Sequence, residues 1–471
     1  MIMPDNTQFV KVENPSMVPD RTKNQRLPMA ERLTTFNEVE KTYTEDEAQR
    51  EAARCLGCPS RWCSKECPAG MPVPDFIRAI RAGDYAEAYR WISSASPLPE
   101  FCSRLCPQEK QCQSNCTRSI RSDAVGIGKL ERFVAEQHYA SGVPEKAAPA
   151  TGKNVAVVGS GPSGLSAACF LAKMGHTVTV YERDAQPGGL LRYGIPNMKL
   201  DKKTLDRKLD AMQDQGITFV TGASNIVPAD LQTQYDAVIL AVGTGNARSI
   251  SIEGAEHAVG IIKAVDYLSG SEDASGRPVI ILGGGDTGND CVGTAIRQGA
   301  ASITQIELLP QSTGVQHIVD PVYAKPRDQK FDASQEEHLN KFLRDPHIYQ
   351  ATVKAVQTDA SGRLQQAVVV HMEPTWDENR RLVMREIPGS EEVLECQLLV
   401  VAAGFIGPEP SVAELFQVET TGRSNIADHN YQTSQPGIFA CGDCRTGQSL
   451  VVKAMVDGRA CARAVDEFIT R

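Results

Sequence analysis

Short apolar runs that break off at glycine, each followed by apolar residues at helical spacing, set the pattern through the middle of this chain. Residues 155–158 are an apolar strand that ends in Gly159-x-Gly161-x-x-Gly164 and passes into a helix-like run. A second apolar strand, 178–181, ends in Glu182, eighteen residues after Gly164. Residues 235–242 read as a further buried strand closing on Gly243-Thr244-Gly245. The pattern then recurs, with a strand at 279–282, the turn Gly283-x-Gly285-x-x-Gly288, a helix through Arg297, and a strand at 303–309 carrying Glu307. Residues 311 to about 347 are polar and show no period. A β-rich stretch follows, 367–372 and 393–401, and a final strand at 437–440 delivers Cys441-Gly442-Asp443-Cys444 to a region that ends in a helix reaching Ile469.

The first third has a different rhythm. Residues 1 to about 40 are polar and punctuated by proline, which predicts an extended or partly ordered arm. A helical run at 45–56 leads into Cys55-x2-Cys58-x4-Cys63-x3-Cys67-Pro68. Amphipathic segments follow at 75–81 and 84–92, with Phe76, Ile77, Ile80, Tyr85, Ala88, Trp91 and Ile92 as the expected core. Then come Cys102-x3-Cys106-Pro107 and Cys112-x3-Cys116, a short helix at 129–139, and a linker at 141–153.

Each glycine of the first turn has a separate task. Gly159 permits the tight bend, Gly161 lets the backbone approach a pyrophosphate, and Gly164 lets helix and strand pack closely. A pyrophosphate then meets a helix N-terminus, where free N–H groups and the helix dipole favour an anion. Glu182 is placed to accept a hydrogen bond from an adenosine ribose, so strand, turn, helix, strand and acid together predict a dinucleotide site. The second copy of the pattern, with Gly283, Gly285, Asp286, Thr287, Gly288 and Glu307, predicts a second one. Gly188, Gly189 and Arg192 belong to a glycine-rich stretch suited to close approach of a flat ligand, with a plain loop as the alternative. Gly442 and Asp443 are placed to set an acid on a ribityl hydroxyl and a helix start on a flavin.

Composition narrows the class. The 471 residues carry a net charge of −9, which argues against a general nucleic-acid or anionic-membrane surface. No apolar run reaches membrane-spanning length and the N-terminus lacks a secretion signal, so a cytoplasmic protein is expected, with small molecules or proteins as partners. Fourteen cysteines in that setting point to ligands or redox groups rather than disulfides. Eight of them fall within 62 residues as two groups of four. Four thiolates hold zinc or an iron–sulfur cluster; the gaps longer than Cys-x2-Cys and the trailing Cys-Pro favour two 4Fe–4S clusters over zinc or unligated thiols. Cys441 and Cys444 also have dithiol spacing, although thiols at strand ends are usually small packing groups.

These parts imply an electron path. Nicotinamide gives two electrons as hydride, clusters accept one at a time and a flavin does both, so a flavin belongs at the junction. The first site, next to the cluster region and completed by the Asp443 segment, is assigned to FAD and the second to NADH or NADPH. Glu307 disfavours the 2′-phosphate of NADPH by like charge, which predicts a preference for NADH unless Lys325 and Arg327 fold back towards it.

Both cysteine ladders, VVGSGPSGLSAA, QPGGLLRYGIPNMKLD, AVGTG, ILGGGDTGNDCVGTAIRQGA and IFACGDCRTGQSLVVKAMVDGR together make the chain resemble the small (beta) subunit of glutamate synthase over nearly its whole length. A related module occurs in dihydropyrimidine dehydrogenase and in ferredoxin:NADP oxidoreductase assemblies. The chain departs from the family pattern at QSTGVQHIVDPVYAKPRDQK, where a segment rich in tryptophan and proline is usual. The resemblance implies an α/β fold with two Rossmann-like, flavin disulfide-reductase-like domains behind an N-terminal α-helical iron–sulfur domain. The expected boundaries are 1–145 for the clusters, 146–270 and 405–471 for FAD, and 271–404 for NAD(P)H. It further implies interleaved clusters, one on Cys55, Cys58, Cys63 and Cys116, the other on Cys67, Cys106, Cys112 and a non-cysteine residue, by position Glu131, with Cys102 left over. The implied activity is NAD(P)H oxidation at FAD, with electrons passed to a large (alpha) subunit that makes L-glutamate from L-glutamine and 2-oxoglutarate. An NAD(P)H:ferredoxin-type subunit and a nucleotide-binding cluster scaffold without turnover are the alternatives.

Overall fold

The computed structural model describes residues 20–23, 25–143, 148–311, 332–378 and 382–471. Its first part is a helical domain built on Glu45–Ala53, Val73–Arg81, Tyr85–Ala95, Pro99–Leu105 and Ile127–Ser141. Thr44 starts the first of these with a capping box to Glu47, and Asp84 accepts from the Glu87 N–H at the start of the third. Phe76, Ile77, Ile80, Ala88 and Ile92 form its core with Leu130 and Phe133, while Tyr85 and Trp91 pack at the margin. Each fully buried side chain of this kind stabilises the fold by about 1.5–3 kcal/mol.

The described part of the arm is more ordered than its composition predicts. Arg26 pairs with Glu40 in an isolated bridge, Met29–Arg32 is a helical turn, and the Val39 N–H donates to the Met198 carbonyl at 2.9 Å. Charge, rather than apolar periodicity, holds the segment. Glu38 accepts from Arg104 at 2.9 Å, from Arg132 at 2.6 Å and from the Asp201 N–H at 2.9 Å. Arg32 and Arg297 converge on the buried Glu337, at 2.9 and 2.6 Å. The arm thereby ties the helical domain to both sheet domains, and removing one member of such a buried set costs about 3–5 kcal/mol.

Two parallel five-stranded sheets follow. Across the first run Ile438–Ala440, Ala237–Leu240, Asn154–Val158, Thr177–Tyr181 and Thr218–Val220, in that order. The C-terminal strand thus completes a sheet begun nearly 300 residues earlier. The helices Pro162–Lys173 and Val451–Ile469 pack against each other beside it. The second sheet runs Ile261–Lys263, Leu398–Val401, Pro278–Leu282, Ser302–Glu307 and His347–Tyr349. Its edge strand at 261–263 therefore comes from ahead of the boundary expected at 271.

The β-rich stretch at 393–401 is two strands in different sheets. Glu392–Glu395 is mostly exposed and pairs antiparallel with Leu364–Trp376, whereas Leu398–Val401 is buried and parallel to Pro278–Leu282. A strand buried on both faces reads as a continuous apolar run and an edge strand does not, so the chain changes sheet where that run begins. Leu364–Trp376 also pairs with Ala351–Thr358 and Leu382–Glu386, making an antiparallel meander beside the second parallel sheet. Among the described residues no helix is long and apolar enough to cross a membrane.

Candidate redox site

The first glycine turn leaves its strand at Val158 and enters the helix Pro162–Lys173, with Gly161 as its N-cap. Gly159 has φ +103°, and a Cβ there would lie 2.5 Å from the Ala241 carbonyl oxygen. A Cβ on Gly164 would lie 2.0 Å from the Gly159 carbonyl oxygen, so helix and turn are in direct backbone contact. Gly161 instead faces open space, with nothing within 4 Å of the place a Cβ would occupy. That opening at a helix N-terminus is the cradle a pyrophosphate needs. Glu182 is buried at the end of the neighbouring strand. Its Oε2 accepts from the Ser160 N–H at 3.1 Å and from the Ser160 hydroxyl, and its Oε1 accepts from the Asp184 N–H at 3.0 Å. The carboxylate thus sets the turn itself and still keeps lone pairs for ribose hydroxyls.

The second turn repeats this arrangement. Gly283 has φ +129° and meets the Ala402 carbonyl oxygen at 2.5 Å from a hypothetical Cβ, Gly288 meets the Gly283 carbonyl oxygen at 2.0 Å, and Gly285 is open. Gly285 caps the helix Asp286–Gln298, whose first residues, Asp286 and Thr287, are exposed at the opening. Glu307 Oε2 accepts from the Gly284 N–H at 2.9 Å and Oε1 from the Leu309 N–H at 2.8 Å. Lys325 and Arg327 lie outside the described residues, as does all but the first residue of the atypical segment.

The glycine-rich stretch folds back onto the first turn. Gly189, at φ +50°, would bring a Cβ within 3.0 Å of Gly161 Cα, and the Gly188 N–H donates to the Ser160 hydroxyl at 2.8 Å. Arg192 is engaged internally, donating to Asp206 at 2.5 Å and to the Pro187 carbonyl at 2.7 Å. It holds the loop shape.

At the C-terminal end, Gly442 at φ +76° packs on Ser163 of the first glycine-turn helix, and Asp443 opens the short helix Asp443–Thr446. Asp443 accepts from the Ser449 hydroxyl at 2.7 Å, and burial raises its pKa. Cys441 and Cys444 do not face each other as a dithiol. Cys444 Sγ donates to the Cys441 carbonyl at 3.2 Å and sits 3.4 Å from the Leu240 carbonyl, whereas Cys441 hydrogen-bonds Cys461 of the C-terminal helix. Both thiols are fully buried, each with its own hydrogen-bond partner, as small packing groups are.

The eight N-terminal cysteines sort into two sets that cross the order of the chain. Cys55, Cys58, Cys63 and Cys116 line one cavity together with Trp62 and Ile77. Cys67, Cys102, Cys106, Cys112 and Glu131 form the other neighbourhood, within reach of one another's charge. Burial pushes the Cys55 thiol up to about 12 and those of Cys63 and Cys67 up to about 11. A hydrogen bond to Cys102, then burial, raises Cys106, and burial raises Cys112. Without a metal these sulfurs keep their protons, and metal binding displaces them. Glu131 is raised by burial, and its Oε1 is buried with no hydrogen-bond partner. A buried orphan oxygen is costly, and a metal centre beside it would satisfy it. Cys102 is buried and hydrogen-bonded to Cys106, with Sγ also 3.7 Å from Met455 Sδ and 3.8 Å from Ser96 Oγ. Among the described residues no group of His, Cys, Asp or Glu is arranged to hold a single metal ion. Zinc draws its ligands onto one centre, at about 2.3 Å for each sulfur, whereas a four-iron cube spreads its thiolates over its corners.

The sequence reading did not single out Asp457, Arg459 or Met455. Gly458 inside a 19-residue helix was the available signal, because a glycine in a helical run marks close packing.

Comparison with known proteins matches two stretches of the chain. Residues 32–143 match the family described as dihydropyrimidine dehydrogenase domain II, 4Fe-4S cluster, and residues 153–458 match pyridine nucleotide-disulphide oxidoreductase. The small chain of glutamate synthase (NADPH) from Bacillus subtilis is 35% identical, over 93% of this chain and 94% of its own length. The corresponding small chain from Mycobacterium tuberculosis H37Rv is 35% identical over 94% of this chain and 93% of its own length. Glutamate synthase (NADH) from Schizosaccharomyces pombe is 36% identical over 95% of this chain, which spans only 22% of that longer protein. Among solved structures, the oxidoreductase FprA from Mycobacterium tuberculosis superposes with a TM-score of 0.55 at 19% identity, covering 69% of this chain and 85% of its own, a likeness of fold. An iron–sulfur domain joined to a flavin disulfide-reductase-like fold, matched to the two bacterial small chains over more than nine-tenths of their length, shows that the chain belongs to the glutamate synthase small-chain family of NAD(P)H-dependent oxidoreductases.

Proposed function

We propose that this chain takes electrons from NADH or NADPH at a bound FAD and passes them through two 4Fe–4S clusters to a separate large subunit, which makes L-glutamate from L-glutamine and 2-oxoglutarate. When bound, these groups convert a two-electron hydride donor into a source of single electrons. The chain's own residues supply the framework. Gly159, Gly161, Gly164 and Glu182, with Gly189, Gly442 and Asp443, would hold FAD, while Arg192 shapes the adjoining loop. Gly283, Gly285, Asp286, Thr287, Gly288 and Glu307 would hold the nicotinamide nucleotide. Cys55, Cys58, Cys63 and Cys116 would carry one cluster, and Cys67, Cys106, Cys112 and Glu131 the other.

The observation that carries this reading is the crossing of the ladders. Cys116 joins the first three cysteines around one cavity, and Cys67 joins the second group, beside the orphaned Glu131 oxygen. The two donor sets share one helical domain, so electrons can pass between them without a moving part. Direct assay tests the division of labour: the isolated chain should reduce artificial acceptors with NADH or NADPH and form no glutamate until a large subunit is added. Glutamate made by the chain alone would refute it.

The flavin is expected to be FAD, because the Gly159 turn and Glu182 suit an adenosine diphosphate half. Extraction should yield FAD without FMN. Glu182→Ala should lower its retention by roughly tenfold or more, since it removes both a ribose acceptor and the clamp on the Ser160 N–H, at about 1–3 kcal/mol for an unsatisfied buried donor. Flavin content after gel filtration checks both points.

A further inference from the structure

Three consecutive residues of the helix Val451–Ile469 touch three different parts of the molecule. Asp457 accepts from the Gly442 N–H at 2.6 Å and from Arg445 at 2.6 Å, which ties it to the segment carrying Asp443. Gly458 lies against the first glycine-turn helix, where a Cβ would come within 2.1 Å of the Ser163 carbonyl oxygen. Helix and turn therefore approach as closely as backbones allow. Arg459 points the other way, into the helical domain, and donates to the Ala69 carbonyl at 3.1 Å and the Ala95 carbonyl at 2.5 Å. Ala69 is two residues beyond Cys67. One turn earlier on the helix the fully buried Met455 accepts from the Ser96 hydroxyl at 3.0 Å and adjoins Cys102.

We propose that Arg459 is a positioning residue for electron transfer: a fixed cation beside the second donor set, braced on the flavin cradle, that makes a cluster held by Cys67, Cys106, Cys112 and Glu131 easier to reduce. The proposal rests on the two-cluster reading above. Reducing such a cluster adds one electron and no proton, so the site gains one negative charge. A nearby guanidinium, which stays charged at any ordinary pH, favours that state. The effect is larger here than in water because the surroundings are partly desolvated. Burial and the neighbouring cation Arg463 disfavour the charge of Arg459, while the charge of Cys67 favours it and the two accepting carbonyls satisfy its donor. Because Gly458 and Asp457 fix the same helix turn to the first glycine turn and the Gly442 segment, the cation is braced between the second donor set and the flavin cradle.

The test is a mediated redox titration of the full chain followed by electron paramagnetic resonance, on wild type, Arg459→Gln and Arg459→Lys, with iron and FAD measured in each preparation. In Arg459→Gln one cluster should require a stronger reductant while the other titrates as in wild type, and rapid mixing with NADH should show the flavin-to-cluster phase slowed several-fold. Arg459→Lys, which keeps the charge and loses the Nη1 that donates to both carbonyls, should stay near wild type in midpoint. If Arg459→Gln fails to hold iron, the lysine variant decides: a wild-type midpoint supports the role of charge, and a shift opposes it. An iron-loaded Arg459→Gln with both midpoints unmoved would overturn the proposal. A wild-type chain with only about four irons would instead overturn the two-cluster reading, and the wild type shows that before any variant is made.

Discussion

Replacing Cys63 with serine is expected to empty one of two clusters and stop electron delivery to a protein acceptor, while NADH or NADPH still bleaches the flavin. Cys63 lies in the cavity shared with Cys55, Cys58 and Cys116, away from both glycine turns. Iron should fall from about eight to about four atoms per chain, with acid-labile sulfide falling in parallel. Acceptor reduction should drop to background, because a missing cluster breaks the route rather than narrowing it. Elemental analysis, flavin absorbance and an acceptor assay on anaerobically prepared protein check the three parts separately. Stoichiometric zinc with little iron in the wild type would contradict the assignment outright. Cys112→Ser is expected to do more harm. That thiol is packed in the helical core, so a hydroxyl there adds a burial cost of about 1–3 kcal/mol and should lower Tm as well as iron content.

The second large effect concerns the choice of nicotinamide nucleotide. Glu307 is held by the Gly284 and Leu309 N–H groups at the rim of the second glycine turn, the place Glu182 occupies at the first. An adenosine ribose bound there meets a fixed carboxylate, and a 2′-phosphate would meet the same charge with like sign, at a cost of several kcal/mol. NADH is therefore expected to exceed NADPH in kcat/KM by roughly tenfold or more. Glu307→Gln keeps an acceptor for the Gly284 N–H and removes the charge, so it should raise kcat/KM for NADPH far more than for NADH. A strong NADPH preference in the wild type that survives Glu307→Ala would show that Glu307 does not read the ribose.

Local chemistry was written plainly in the chain. A strand that ends at Gly159 or Gly283 and restarts as a helix is legible locally, from φ values only glycine adopts easily and from the close approach of Gly164 to Gly159 and of Gly288 to Gly283, although the Ala241 and Ala402 carbonyls that crowd the two turns come from distant strands. Four helices of the first domain followed from apolar spacing, at 45–56, 75–81, 84–92 and 129–139, each placed to within a few residues, whereas Pro99–Leu105, among the cysteines, was not anticipated. Cysteine spacing identified the two ladders. The division of cysteines between two centres came from resemblance, because spacing along the chain does not say which helix face a thiol will share.

What the chain left open was decided by contacts between distant segments. Ile438–Ala440 completes the first sheet by pairing with Ala237–Leu240 across the whole intervening nucleotide domain, and Leu398–Val401 leaves its neighbour Glu392–Glu395 for another sheet because its side chains are buried on both faces. The arm around Glu38 and Arg32 carries almost no apolar signal. It is ordered by carboxylates and guanidiniums whose partners lie up to 310 residues away. Cys441 and Cys444 have the spacing of a dithiol, yet the Cys444 thiol donates to the Cys441 carbonyl and the Cys441 thiol pairs with Cys461 of the C-terminal helix. Arg459 reaches Ala69 across 390 residues. Hydrophobic period and glycine placement act through neighbours and so determined the elements and the kind of cofactor chemistry from sequence alone; pairing of charges, sulfurs and sheet edges acts through space, and only the folded chain brings those partners within range of one another.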